Sequence, residues 1–444
     1  MPVLRTLTRA FFDQFFTSES VTSDVELQQR VFWLLGILIA PGIFILLIVF
    51  PDFVSIALRA HAGRAPLSII DDRLEWLALI LATYAMAGTG FVTVLSWDAL
   101  TFDRRDAMVL GSLPLGRGTM MAAKLGALGA LLVIGAGPIC LLYSIIFAIE
   151  TAEMLGWHVF VPHLISMFVA TGGAATFIFS AIVSARAAAS LIGGPRLASM
   201  LGPVLQFAFV VAILCLVILS PASSARVLFM SSDRADWLPP TWFVGLFEQL
   251  RHSPRAHVPH FVTITQRCLV AMSLAIGAAL LGSFVEFRRQ LSAAGSGAIR
   301  TPFAARTPRA IARAFSGASQ SVRGIADFVI LTMTRNRLPQ ASVSIHAGFG
   351  AALVVAALSD RTPDIAALEH PRTVVLWIPL VLAYWSSLGM RSSFFVPSEV
   401  KASWAFRANT SERPGHWSAV RASMIGILGP VLAGTCLVFA PLLG

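Results

Sequence analysis

Nine stretches of the chain are each apolar over about the length a helix needs to cross a lipid bilayer, and that constrains the fold more than any other feature. They fall at about Val31–Phe50, Trp76–Trp97, Met120–Ile149, Phe160–Val183, Leu201–Ser220, Cys268–Val285, Ala341–Leu358, Val374–Met390 and Ala422–Leu442. A helix rises 1.5 Å per residue, so about 20 apolar residues cover the hydrocarbon core. Over 444 residues the hydrophobic share is 56%, the charged share 13% and the mean hydropathy +0.77. A water-soluble fold of this size has too little interior to hide so much apolar surface. Alternating strands of about ten residues are absent, which argues against a barrel. The sequence therefore predicts an all-α polytopic membrane protein with about nine transmembrane helices.

Arginine and lysine set the orientation. With the N-terminus in the cytoplasm, the inside segments (1–30, 98–124, 184–200, 286–340, 391–421) hold 23 basic residues and the outside loops hold 9. The opposite orientation reverses that bias. The excess of positive charge, net +10, is thereby assigned to the cytoplasmic face, where anionic headgroups attract it by about 1 kcal/mol per charge. Nucleic acid is not needed as a partner. The chain divides into a cytoplasmic N-terminal region with an interfacial helix (1–30), a first bundle of six spans (31–285), a basic connector (286–340) and a second half of three spans (341–444). Gly, Ser, Ala and Pro in the connector suggest a flexible link.

The two halves share an order of parts. "LTRAFFDQFF" precedes two spans, a charged inner loop and a third span; "IADFVILTMTRNR" precedes the same series. Both leading stretches read as helices lying along the membrane surface. Because the second half has fewer spans, it is expected to be truncated or reduced. Acidic residues before the first apolar run (Asp13, Glu19, Asp24, Glu26) do not suit a signal peptide.

Several chemistries lack their motifs. There is no G-x-x-x-x-G-K-[ST], no H-E-x-x-H and no G-x-S-x-G, so no catalytic residue, cofactor or metal site is assigned. The four cysteines stand singly in or beside apolar runs and read as packing residues. His252, His257 and His260, with Glu248 one turn earlier, are the only histidine cluster. Two prolines interrupt it, and it reads as an exposed loop. No Asp or Glu falls well inside a span, whereas ion-coupled carriers need such groups near the midplane. His163 and His346 read as hydrogen-bonded within the bundle. Energy for any transport would have to come from another chain.

The segment between the second and third spans, "FDRRDAMVLGSLPLGRGTMMAAKL" (Phe102–Leu125), is the most distinctive. At the bilayer centre its charges would cost about 3 kcal/mol each, so it belongs on the cytoplasmic face. Phe102, Val109 and Leu113 fall on one side of a short helix, which Pro114, Gly116 and Gly118 then end in a sharp reversal. Thr119 is placed to cap the third span, and Lys124 to snorkel to the interface. Such a stiff elbow could transmit force into the bundle. An ordinary basic loop obeying the orientation rule accounts for the same residues.

This segment resembles the charged turn and "LPL" step of bacterial ABC-type exporter permeases of the second type. "LPPTWFVGLFEQL" (Leu238–Leu250) and "VPSEVKASWAFRANTSE" (Val396–Glu412) are similar to stretches of the larger, uncharacterised permeases of that group. The resemblance implies a multi-pass permease of the bacterial inner membrane. It would pair as a homo- or heterodimer and be energised by a separate ABC ATPase that carries the ATP and magnesium. The coupling helix would be Asp103–Leu113, with Asp103, Arg104, Arg105 and Asp106 making polar contacts and Leu113, Pro114, Leu115 and Arg117 forming the turn. Glu399, Lys401, Trp404 and Arg407 would make a second cytoplasmic contact. On the outer side, Trp237, Pro240, Trp242, Phe243 and Phe247 read as an interfacial helix, its apolar stripe at helical spacing and its ends anchored by aromatics. The alternatives are a non-transporting membrane scaffold or regulatory subunit, and a secondary carrier.

Overall fold

The computed structural model describes residues 2–13, 15, 51, 53–60, 62–63, 66, 68–97, 99–100, 116–222, 235–293, 306–316, 319–359, 373–394 and 413–439. Its helices are α1 (Pro2–Asp13), α2 (Ser68–Leu95), α3 (Arg117–Leu155), α4 (Phe160–Ala222), α5 (Pro239–Leu250) and α6 (Pro259–Ala293), followed by α7 (Arg306–Phe315), α8 (Gln320–Arg335), α9 (Arg337–Ser359), α10 (Thr373–Phe394) and α11 (Arg413–Phe439). No strand occurs among the described residues. Seven stretches are helical, long and apolar enough to cross a membrane: Ser68–Leu95, Arg117–Leu155, Trp157–Ile192, Leu201–Ile218, Pro259–Arg289, Pro339–Ala357 and Gly415–Leu437. They contain or overlap seven of the nine expected spans. The eighth expected span lies in α10, and Val31–Phe50 lies outside the described residues. Large apolar side chains stay exposed on these helices, among them Val133, Leu274, Leu281 and Leu437. Lipid contact accounts for that surface.

The chain forms two compact units: residues 1–192 with 216–294, and residues 193–215 with 295–444. This division departs from the expected one, because part of the fifth expected span groups with the second half. A Cβ on Gly348 of α9 would lie 2.6 Å from Val210 Cγ1, so those backbones meet closely. Residues 184–200, expected as a connection between spans, are helical within α4.

The first unit is built around one core of α2, α3, α4, α5 and α6, in which Leu74, Leu77, Leu81, Tyr143, Phe147, Met167, Phe243 and Phe247 are fully buried. Small residues let the helices approach. A Cβ on Gly282 of α6 would sit 2.7 Å from Ala187 Cβ of α4, and the Ser184 hydroxyl donates to the Ala275 carbonyl at 3.0 Å. At one end of this unit lie the starts of α2, α4 and α6, the end of α3, and α5. At the other lie the end of α2, the start of α3, residue 186 of α4, the end of α6, and α1. Lys124, Arg186, Arg288 and Arg289 mark the second end, which the charge bias assigned to the cytoplasm.

In the second unit, α9 and α10 pack closely. A Cβ on Gly389 would meet His346 Cβ at 2.9 Å, His346 Nδ1 lies 2.8 Å from the Ser342 carbonyl, and the Ser342 and Ser392 hydroxyls are 2.5 Å apart. Among the described residues of the connector, 306–315 and 320–335 form α7 and α8, which bury Ala312, Val322, Ala326 and Ile330 against Ala419 and Ala422 of α11. Those buried positions on α8 recur every four residues, the spacing of one helix face. Asp327 of α8 joins the two short helices through Arg309 and Arg313 of α7.

The Arg309 hydrogen bond is the chief cause that holds the Asp327 carboxyl below its ordinary range, with Arg313 adding to it. A depressed folded pKa stabilises the fold above the unfolded carboxylate value and ceases to do so as pH falls through the folded value. Amide-exchange protection of α7 and α8 is therefore expected to stay level from pH 7 to about pH 4 and to fall below it. Protection unchanged to pH 2 would contradict this account.

Candidate functional site

Two clusters of charge occupy opposite ends of the first unit. At the end assigned to the outside, α5 starts on Pro239-Pro240, residues suited to a first turn because their missing N–H groups have no helical partner there. The helix is only 12 residues long, yet Phe243, Val244 and Phe247 on it are fully buried. Phe247 meets Phe147 edge-on with centroids 5.7 Å apart, and Phe243 closes over Gly173. The stripe read as an interfacial helix thus enters the protein core, and Pro240 is buried with it. Trp242 packs at its edge and donates its indole N–H to the Asp236 carbonyl at 2.7 Å. Trp237 remains exposed, with the Arg267 guanidinium 5.3 Å over its ring.

Beyond α5 the chain turns through His252 (φ 54°) into a short 3-10 turn at Pro254–His257. Here a network forms that the sequence did not reveal. Glu248, with no exposed surface, receives both Nε (2.8 Å) and a terminal nitrogen (2.9 Å) of Arg251. The Ser253 hydroxyl also donates to Glu248. Arg251 reaches across to Asp71 of α2 at 2.8 Å. Arg255 donates to Asp72 at 2.6 Å, to Glu75 at 2.8 Å and to the Ser68 carbonyl at 3.1 Å. Burial works against the charge on Arg251, but Glu248 and Asp71 more than offset it, so its pKa is raised. Arg255 is raised likewise through Glu75 and Asp72, which outweigh its own desolvation.

Nearby, His163 Nδ1 lies 2.9 Å from the Thr151 hydroxyl. His252, His257 and His260 are exposed, and among the described residues no group of three His, Cys, Asp or Glu side chains comes together as a metal site. The network holds α5 and its turn onto α2.

The second cluster is at the other end. Helix α3 begins at Arg117, with Gly116 as its extended N-cap and no side-chain cap, so Thr119 lies inside the helix. Lys124 does not snorkel outward. It is 3% exposed, its Nζ 5.0 Å over the Phe11 ring and 5.5 Å over the Phe15 ring. Desolvated cation–π contacts of this kind are worth about 2 kcal/mol. Phe11 of α1 is buried with Met120, Met121, Ala123, Ala127 and Phe287, and Thr8 lies against Gly126, 3.3 Å from an added Cβ. The amphipathic α1 thus clamps the base of α3. Arg186 stacks over Trp97 at 5.4 Å at the same end.

The residues Asp103, Arg104, Arg105, Asp106, Leu113, Pro114 and Leu115 lie outside the described residues, as do Glu399, Lys401, Trp404 and Arg407. Arg117 is exposed in the first turn of α3. No family model matches the chain, and no curated protein or solved structure matches it either.

Proposed function

We propose that the chain is the membrane-spanning permease subunit of an ABC-type exporter, working as a homo- or heterodimer and energised by a separate cytoplasmic ATPase. The observation that carries this reading is the clamp of α1 on the base of α3. Helix α3 starts immediately after the charged segment 101–115, so a force on that segment reaches a helix held firmly at its first turns. A loosely held base would absorb it. The second unit offers a counterpart: α8 packs on the first turns of α11, just after the segment that carries Glu399, Lys401, Trp404 and Arg407. The sequence carries no phosphate-binding loop, so in this reading ATP and magnesium would bind the partner. The division of labour resembles that of the permeases named above.

Co-purification of a cytoplasmic ATPase with the chain is the direct test, followed by Arg104→Glu/Arg105→Glu. Reversing two charges at a docking edge is expected to lower membrane-dependent stimulation of ATP hydrolysis at least ~10-fold while leaving insertion intact, since like charges across an interface cost several kcal/mol. Stimulation at the wild-type level would sink the assignment of Asp103–Leu113 as the coupling element.

A further inference from the structure

The pairing of α7 with α8 sets two cations against one anion. Arg309 makes a two-point contact, its Nε 3.1 Å from Asp327 Oδ1 and a terminal nitrogen 3.1 Å from Oδ2. That two-point geometry takes one position on each carboxylate oxygen and is enough to fix both helices. Arg313 is nevertheless placed on the same Oδ2, with nitrogens at 2.6 Å and 3.2 Å. Two guanidinium groups thus lie side by side against one negative charge, and Asp327 is the only acidic residue from Arg288 to Arg337. Arg323, one helical turn before Asp327, adds a third cation to this edge. The Arg313 side chain is 54% exposed, so a ligand can reach it.

The position of the pair specifies the anion. Helices α7 and α8 lie along the first turns of α11, packed on Ala419 and Ala422, and the Pro308 carbonyl would sit 2.6 Å from a Cβ on Gly426. Gly415–Leu437 of α11 is one of the apolar spans, and these turns form the end at which it begins. Phe315 of α7 and Phe328 of α8 are each about half exposed. A planar cationic fork at the mouth of a membrane span, on short helices that also expose aromatic rings, suits a phosphodiester whose acyl chains continue into the bilayer.

We propose that the Arg309–Arg313 fork, aligned by Asp327, binds the phosphate of an anionic phospholipid headgroup. The site is independent of the transport reading above. It is tested on the full chain, purified in a zwitterionic detergent and titrated with short-chain phosphatidylglycerol, phosphatidylcholine or inorganic phosphate. Arg313→Gln keeps the Arg309–Asp327 pair, so the fold should hold, with thermal unfolding in phosphatidylcholine nanodiscs serving as the check. Its affinity for phosphatidylglycerol is expected to drop about fivefold, and that of Arg313→Gln/Arg323→Gln about 25-fold. Arg313→Lys, which keeps the charge and loses the fork, should fall between wild type and Arg313→Gln. Binding by wild type should weaken with added salt. Equal phosphatidylglycerol affinity in wild type and both Gln variants would overturn the proposal. So would inorganic phosphate competing as well as the lipid, which would mark a site for free anions.

Discussion

Replacing Arg251 with alanine is expected to lower the thermal unfolding midpoint by about 10 °C, equivalent to about 3–5 kcal/mol. The cause is what the change leaves behind. Glu248 has no exposed surface and takes two of its hydrogen bonds from Arg251. Without that guanidinium its charge keeps the Ser253 hydroxyl and loses its counter-ion in a buried site. Asp71, whose side chain is 29% exposed, can instead turn to water and adds little. The expected size therefore reflects the uncompensated Glu248, not the net value of the pair. Removing both partners is the check: Arg251→Met/Glu248→Leu should recover most of the loss, because a buried ion pair replaced by apolar side chains is often close to neutral. A single Arg251→Ala variant that melts with wild type would show that the network does not hold α5 to α2.

Gly245→Val is expected to be comparably severe. A Cβ at this position would lie 2.6 Å from Ile264 Cγ1 and 2.8 Å from Thr265 Oγ1, inside the distance at which heavy atoms repel. The contact is on α6, itself buried at Ile264, so neither helix can yield without pulling Phe243 or Phe247 out of the core. Overpacking of this kind costs about 1–3 kcal/mol or more, and losing the seat of one buried phenyl ring adds about 3 kcal/mol. Gly172→Val on α4 is the matched control, since nothing lies within 4 Å of its added Cβ; little change is expected there. Ile264→Ala should make Gly245→Val less damaging than the two separate effects combined, and that coupling can be read from a double-mutant cycle. Simple additivity would place the strain elsewhere.

Much of the membrane architecture was legible because bilayer length is a one-dimensional signal. The apolar runs at Met120–Ile149 and Phe160–Val183 needed no knowledge of partners. The network on α2 was illegible for the opposite reason. Asp71, Asp72 and Glu75 look like a loop that ends before Trp76, yet the helix runs back to Ser68. What neutralises them is a pair of arginines about 180 positions away, and no local pattern encodes that. Glu248 and Arg251, three apart in the sequence, did carry a local signal, but the stretch read as an exposed loop because two prolines interrupt it. Small residues misled in the connector. Gly, Ser and Ala there suggested flexibility, whereas Ala312 and Ala326 are small because α11 passes close. Lys124 was read as surface-seeking because Phe11 and Phe15, a hundred residues earlier, gave no sign that they would cover it. The chemistry proposed for Asp103–Leu115 rests on the sequence and its resemblance alone.

The clamp of α1 on α3 has a consequence for how the protein is made. Pro2–Asp13 leaves the ribosome about a hundred residues before Arg117, which at about 5–20 residues per second is roughly 5–20 seconds. Through that interval its apolar face has no protein to rest on, and a bilayer surface nearby is the natural shelter for an amphipathic helix. Fusion of a bulky soluble partner ahead of Val3 would hinder this waiting step, so tags belong elsewhere on the chain.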